Sequence, residues 1–393
     1  MFSPIEMFLP IEIICVIWTV LSISWFLCAA ALVFRDQRKI PPSSSSSQNL
    51  PSMTIFKPLP SVEEQDITQE LIRGLESFIR QMDARTEILL GVDDAEFHLW
   101  DKIIDQWRHR FPAARLLVIR RPKPDSFPNP KISWQILLAR HATGELWLWS
   151  DADIEVPESF LNSIRAEIVE SKCRAITCPY TIRTVPDACT LLDALFVNVE
   201  FYPGVLLLRC RGEVRFALGA ATLFHAEDFR QKANWEKLGS TLADDNELGR
   251  QLGPVKISWH SVETLPRGEN FRDAFLHYLR WHKTVRWCEP VGYAGQLVLL
   301  PLLGWIFRLA LDPLSAAAWS GLAATGLCEA AIAALILRRL KCFAPFRRRW
   351  MILAWIAIRP AAWLLSWAPG PVRWSGCRHR WLGLRKLELF ERY

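Results

Sequence analysis

Asp151 and Asp153 stand one residue apart in the run Trp147-Leu148-Trp149-Ser150-Asp151-Ala152-Asp153-Ile154-Glu155-Val156. Two carboxylates that close repel each other unless something positive lies between them. A hard divalent cation carrying a diphosphate meets that need, because such ions take carboxylate and phosphate oxygens. A solvated turn would contain the same two residues, so the pair gains meaning only from its company. That company is a second acidic pair, Asp93-Asp94, and a third in Leu242-Ala243-Asp244-Asp245-Asn246-Glu247-Leu248-Gly249. The last reads as the start of a helix, where the dipole favours a carboxylate and keeps it ionised, as a general base requires. Plain N-terminal capping would use the same residue types.

The elements that must position these groups follow an alternating pattern. Met53–Lys57 reads as a strand, Glu63–Arg80 as a helix, Glu87–Val92 as a strand and Glu96–Arg110 as a helix. Arg115–Arg120, Lys131–Ala142 and Leu146–Ser150 continue as strand, helix and strand. Such alternation predicts an α/β domain with a mostly parallel sheet, whose ligands sit outside the carboxyl ends of the strands. Asp93-Asp94 and Asp151/Asp153 both end strands, and adjacent strands would aim both pairs at one place. Beyond Pro157 the spacing predicts a strand over Arg174–Tyr180 and a helix over 186–200. Gly219-Ala220-Ala221, within Arg215–Phe224, marks a place where a ligand approaches backbone.

Hydrophobic residues make up 51% of the 393, with 19 Trp, which is rich for a purely soluble enzyme. Residues 7–34 are long enough to span a bilayer and too long for a signal-peptide core. Arg35, Arg38 and Lys39 follow, so residues 1–36 are expected to be an uncleaved anchor with its N-terminus outside. A Pro/Ser-rich linker over 37–51 leads into a domain over 52–268. Residues 269–290 mix aromatics with cations and suit a helix lying in the membrane interface. Val291–Leu311 and Leu314–Leu337 predict a spanning hairpin, within 291–338. Residues 339–393 comprise a basic loop, an apolar segment and a basic tail. The segment Trp350–Trp367, broken by Arg359-Pro360, is expected to be re-entrant or interfacial, because spanning would place the basic tail outside. The net charge of +6 abuts apolar spans, which argues for a cytoplasmic membrane face and against nucleic acid. Ten scattered cysteines without Cys-x-x-Cys predict neither a disulfide framework nor a zinc site.

Several stretches together resemble the family-2 type glycosyltransferases, and within them the ceramide glucosyltransferase and hopanoid glycosyltransferase branch. They are Phe56-Lys57-Pro58-Leu59, Gly91-Val92-Asp93-Asp94, Asn129-Pro130-Lys131, Ser150-Asp151-Ala152-Asp153-Ile154, Ala243-Asp244-Asp245 with Leu248-Gly249, and Leu279-Arg280-Trp281 followed by Thr284 and Arg286. The match covers about residues 50 to 290 and extends into the hairpin and Val372-Arg373-Trp374; the ordered set, rather than any one motif, is specific. The resemblance implies the GT-A fold and inversion at the anomeric carbon. It places Lys57, Pro58, Asp93 and Lys131 with the nucleotide end of a UDP-sugar donor. Asp151 and Asp153 would hold the ribose and a diphosphate-bound divalent metal (Mg or Mn), and Asp245 would be the catalytic base. Arg280 and Trp281 match the end of a Gln-x-x-Arg-Trp motif serving the diphosphate and acceptor side. The chain departs at its first position, His277, for which ring packing at the interface is the plain alternative.

The acceptor implied is the hydroxyl of a membrane lipid of ceramide or hopanoid type, reached by a domain facing the cytoplasm from the inner membrane. A processive polysaccharide synthase of the same fold would need more spans than the three evident in the sequence. An inactive adaptor would have no physical reason to keep repelling carboxylates together.

Overall fold

The computed structural model describes residues 4–36, 50–60, 67–121, 127–183, 187–265, 270–342, 348–374, 377–383 and 386–392. Most of the expected linker, the start of the Glu63–Arg80 helix and part of the basic loop lie outside them. The chain forms two compact units, one of Lys39–Thr181, Leu208–Leu265 and Pro371–Tyr393, the other of Met1–Arg38, Ile182–Leu207 and Pro266–Gly370.

The first unit holds every strand described. β1 (Met53–Pro58), β2 (Thr86–Asp93), β3 (Arg115–Arg121) and β4 (Leu146–Ser150) are followed by β5 (Ile154–Glu155), β6 (Ala175–Thr177) and β7 (Tyr180–Thr181). β8 (Ala221–His225), β9 (Val255–Ile257), β10 (Val262–Thr264), β11 (Val372–Trp374), β12 (Cys377–Gly383) and β13 (Lys386–Arg392) complete the set. Seven make one sheet in the order β3-β2-β1-β4-β8-β6-β9. β1 pairs in parallel with β2 and β4, β2 with β3, and β6 with β9, while β8 runs antiparallel to both neighbours. The mixed α/β, mostly parallel fold expected from the pattern is therefore present. β1, β2 and β4 are buried almost throughout, whereas the edge strand β3 exposes both terminal regions and carries arginines. Charge on an edge protects its unpaired backbone from other strands.

β4 shows why the sheet holds. Trp147 and Trp149 alternate with Leu146 and Leu148, and all four are buried. On the indole side Phe56, Phe224, Phe229 and Trp235 complete an aromatic layer, with Phe56–Trp147 centroids at 5.1 Å and Trp149–Phe229 at 5.2 Å. Each wholly buried aromatic of this kind contributes about 2–3 kcal/mol. The helix expected over Glu63–Arg80 runs over Gln69–Ile79, with the Thr68 hydroxyl accepting from Leu71 N at its start. The strand expected over Arg174–Tyr180 is two short strands, β6 and β7, in different sheets. The basic stretch expected as a tail is the antiparallel meander β11-β12-β13.

The second unit is helical. Among the described residues three helices are apolar and long enough to cross a membrane: Phe8–Asp36, Ala188–Arg211 and Ala316–Arg339. The helix expected over 186–200 thus extends to Arg211, through a π turn over Phe196–Phe201. Val291–Leu311, expected as one straight span, is two segments bent by 63°. Pro301 lacks the N–H a continuous helix needs. The carbonyls freed at the break are taken up, those of Leu297 and Val298 by Trp18 Nε1 at 3.2 and 2.9 Å and that of Leu299 by Arg359 Nη2 at 2.7 Å. Arg359 also pairs with Glu329 at 2.9 Å, and the helix Met351–Ser366 continues through Pro360 rather than breaking there. At 16 residues it is shorter than the roughly 20 a straight span needs.

Candidate active site

Lys57 is the penultimate residue of β1, with its side chain wholly buried. Its ammonium donates to Ser150 Oγ at 3.0 Å and to the Asp151 carbonyl at 2.6 Å, and lies 3.8 Å from the Phe78 ring centre. Ser150 Oγ donates in turn to the Ala220 carbonyl at 2.8 Å. The ends of β1, β4 and β8 are thereby fastened together beneath the acidic turn. Lys57, expected among the donor-binding groups, holds the Asp151 backbone from inside the core. Burial draws its pKa down to about 7, against the raising effect of Asp151 and Asp153. An amine less basic when folded than the ordinary 10.5 withholds stability at neutral pH and restores it as the pH rises towards 10. The Tm difference between the native protein and Lys57→Met should therefore grow in favour of the native protein between about pH 7 and 9. A pH-independent difference in thermal unfolding would show that Lys57 keeps its ordinary basicity.

Pro58 ends β1 opposite Gly91, and Asp93 ends β2, where Oδ1 caps a short turn through Ala95 N at 3.4 Å. The two acidic strand ends are not adjacent, contrary to the sequence expectation. β1 lies between them, which separates Asp93 from Asp151 by two strand spacings, about 10 Å. Asp94 is engaged with Arg120 at 2.8 Å, itself over Phe97. Asp153 follows the bend from β4 into β5, and its carbonyl accepts from Leu265 N at 3.0 Å.

Lys131 lies at the centre of the acidic group, and the helix Pro130–Ala139 puts it there. Asn129 caps that helix by accepting from Lys131 N at 3.0 Å, and Pro130 takes the first position, where its missing N–H is harmless. The same buried Asn129 amide donates to the Thr241 carbonyl at 3.0 Å and to Asp244 Oδ1 at 3.2 Å. Lys131 Nζ then meets Asp151 Oδ1 at 2.7 Å and Asp244 Oδ2 at 3.5 Å. Burial opposes its charge, but Asp151 and Asp244 outweigh burial and push its pKa above the ordinary lysine value.

Asp245 opens the helix Asp244–Leu252, its carbonyl accepting from Ala217 N at 3.2 Å. That helix packs so closely that a Cβ on Gly249 would meet the Phe216 carbonyl carbon at 2.3 Å, which explains the glycine of Leu248-Gly249. A Cβ on Gly219 would lie 3.3 Å from Asp245 Oδ2 and 3.5 Å from Asp151 Oδ2, so both carboxylates face one bare stretch of backbone. The helix start does not keep Asp245 fully ionised, as its position alone predicts. Burial first, then the charge of Asp244, raise its pKa to about 7, although Lys131 and the Asn246 N–H pull it down. A carboxylate poised there is matched to taking a proton near neutral pH.

Among the described residues no three His, Cys, Asp or Glu side chains form a cage for a metal ion. A hard cation held by one or two carboxylates and completed by phosphate oxygens needs none, and Asp151 and Asp153 supply that donor chemistry. Asp151, Lys131, Asp244 and Asp245 thus form one cluster, with Asp93 farther along the same sheet edge. Arg280 and Trp281 belong to the helical unit, on the helix Phe271–Cys288. Sequence reasoning missed the supporting parts played by Asn129, Ser150 and Asp244, although Asn-Pro-Lys carried the cap signature.

The sheet is mostly parallel, and its strand ends gather carboxylates around a lysine in a chain that also carries long apolar helices. A family model described as glycosyl transferase family 21 matches residues 16–383, and the chain belongs to that family. Among solved structures it is similar to a mannosyltransferase, PcManGT, from Pyrobaculum calidifontis, in complex with GDP-Man and Mn2+. The identity is 15% over 91% of this chain and 100% of that one, with a TM-score of 0.48. GalNAc-T7 with UDP, GalNAc and Mn2+ gives 14% identity over 63% and 52% of the two chains and a TM-score of 0.40. S. aureus TarS 1-349 in complex with UDP-GlcNAc gives 12% over 86% and 99%, with 0.36. No curated protein matches.

Proposed function

We propose that the protein transfers a hexosyl unit from a UDP-sugar to the hydroxyl of a membrane lipid of ceramide or hopanoid type, with inversion. The observation that carries this reading is the placing of Asp245 and Asp151 against Gly219, with Lys131 bound to Asp151 at 2.7 Å. An alcohol is a poor nucleophile until its proton is taken. Asp245 is the group for that, and the proton passes to its carboxylate as the bond from the sugar to the diphosphate breaks. Negative charge then develops on the departing UDP, and the Lys131 ammonium is fixed in advance to meet it. Asp153 and Asp151 would hold Mg or Mn, which when bound supplies further positive charge at the diphosphate. Asp93, with Pro58 beside it at the sheet edge, would receive the nucleotide base. One base and one displacement invert the anomeric carbon. Arg280 and Trp281 would serve the diphosphate and acceptor side. The apolar helices would hold the enzyme in the inner membrane with the α/β unit cytoplasmic, where the lipid hydroxyl is presented at the bilayer surface.

Membranes bearing the protein, incubated with a panel of radiolabelled UDP-sugars, should pass label from one of them into the organic extract as a glycolipid. Label accumulating in water-soluble polymer would favour a polysaccharide synthase, and no transfer from any UDP-sugar would refute the donor. Chelation by EDTA should halt turnover, and Mg or Mn should restore it; full turnover in EDTA would remove the metal role of Asp151 and Asp153.

A further inference from the structure

Trp281 is immobilised by residues with no part in the cluster above. The helix Phe271–Cys288 sets His277 and Trp281 four residues apart, on one face. Trp281 Nε1 lies 2.9 Å from His277 Nε2. An indole N–H only donates, so Nε2 is the acceptor and the imidazole proton resides on Nδ1. Nδ1 lies 3.2 Å from Asp193 Oδ1, the partner that takes this proton and fixes the tautomer. Asp193 is buried on the helix Ala188–Leu195. Directly after it the π turn Phe196–Phe201 presses two ring edges on the same indole, Phe196 at 5.1 Å and 81° and Phe201 at 5.9 Å and 86°. Such turns disturb the regular helix and recur at functional sites. The ring-packing role expected of His277 is therefore only part of its place, because both ring nitrogens are committed.

We propose that Asp193 and His277 form a positioning pair that locks the indole of Trp281 in the orientation the transfer reaction uses. The proposal rests on the reading that Trp281 serves the acceptor side. It also accounts for the departure at the head of the motif. A glutamine amide offers one acceptor and one donor, as a neutral imidazole protonated on Nδ1 does, so His277 and a glutamine can bridge the same two partners.

The test uses the full-length protein in detergent micelles with isotope-labelled tryptophan, and the same variants in membranes. The Trp281 indole N–H resonance is assigned by its loss in Trp281→Phe. His277→Leu should move that resonance and lower kcat for lipid glycosylation about tenfold, the worth of one well-placed hydrogen bond, with the donor KM unchanged. His277→Gln should restore both, and Asp193→Leu should reproduce the leucine effect. An unmoved resonance in His277→Leu would overturn the proposal whatever the activity. A moved resonance with undiminished kcat, or a glutamine variant no better than leucine, would overturn it too. If the unaltered protein transfers nothing from any UDP-sugar, the donor–acceptor reading fails instead, and the resonance alone then decides whether the pair holds the indole.

Discussion

Asp245→Asn should lower kcat for transfer about 10²–10⁴-fold, the usual contribution of a positioned general base, while UDP binding measured by calorimetry stays close to native. The amide keeps the shape of the carboxylate and can still accept from the Asn246 N–H, which lies 2.8 Å from Oδ1. What it cannot do is take a proton. The unsubstituted enzyme should show an acid limb in its rate profile near pH 7, where Asp245 loses its charge. The same variant should be the more stable protein at alkaline pH. Asp245 has a folded pKa near 7 against an ordinary 3.8, so its contribution to stability is full below about pH 4 and is lost as the pH rises through 7. A neutral amide escapes that loss. A variant both inactive and equal or higher in Tm at pH 8 would separate a lost base from a broken fold. Wild-type turnover in Asp245→Asn would end the assignment.

Lys131→Met should be as damaging, and in a different way. It removes the ammonium that pairs with both Asp151 and Asp244, at 2.7 and 3.5 Å. Breaking a buried pair by deleting one partner costs about 3–5 kcal/mol, and this site falls towards the lower end because Asp151 stays partly exposed. Asp245 would also lose the charge that holds its pKa down, so any remaining activity should have its acid limb shifted to higher pH. We expect kcat to fall at least about a hundredfold, as for loss of other preorganised charges. Lys131→Arg should recover part of it. A methionine variant with an unshifted rate profile would show that Lys131 does not govern the base.

The parallel sheet and its acidic strand ends were legible because they depend on local pattern. β4 begins and ends where its apolar run does, and Leu146–Ser150 matches the expectation residue for residue. The helix carrying Asp245 was likewise readable, from the acidic residues of its first turn. What could not be read was set by strand order and packing. Nothing local says that β1 comes between the two acidic strands, or that the Lys57 ammonium is buried against the Asp151 carbonyl. The pKa of Asp245 follows from burial and from Asp244, which outweigh the helix dipole that sequence position suggests. In the helical unit, Pro301 signals a break only when length and apolarity do not hide it, and both did. The link from Asp193 to His277 spans 84 residues, and no periodicity announces it.

The proposed transfer rests, above all, on Asp245 and Lys131 acting as one device. Comparing kcat for lipid glycosylation in Asp245→Asn, Lys131→Met and the double variant tests that most directly. If they serve one site, Lys131→Met should cost little more once Asp245 has become asparagine, because groups that act as a unit are far from additive. Two losses that simply multiply would place the lysine and the carboxylate in separate roles and contradict the shared device.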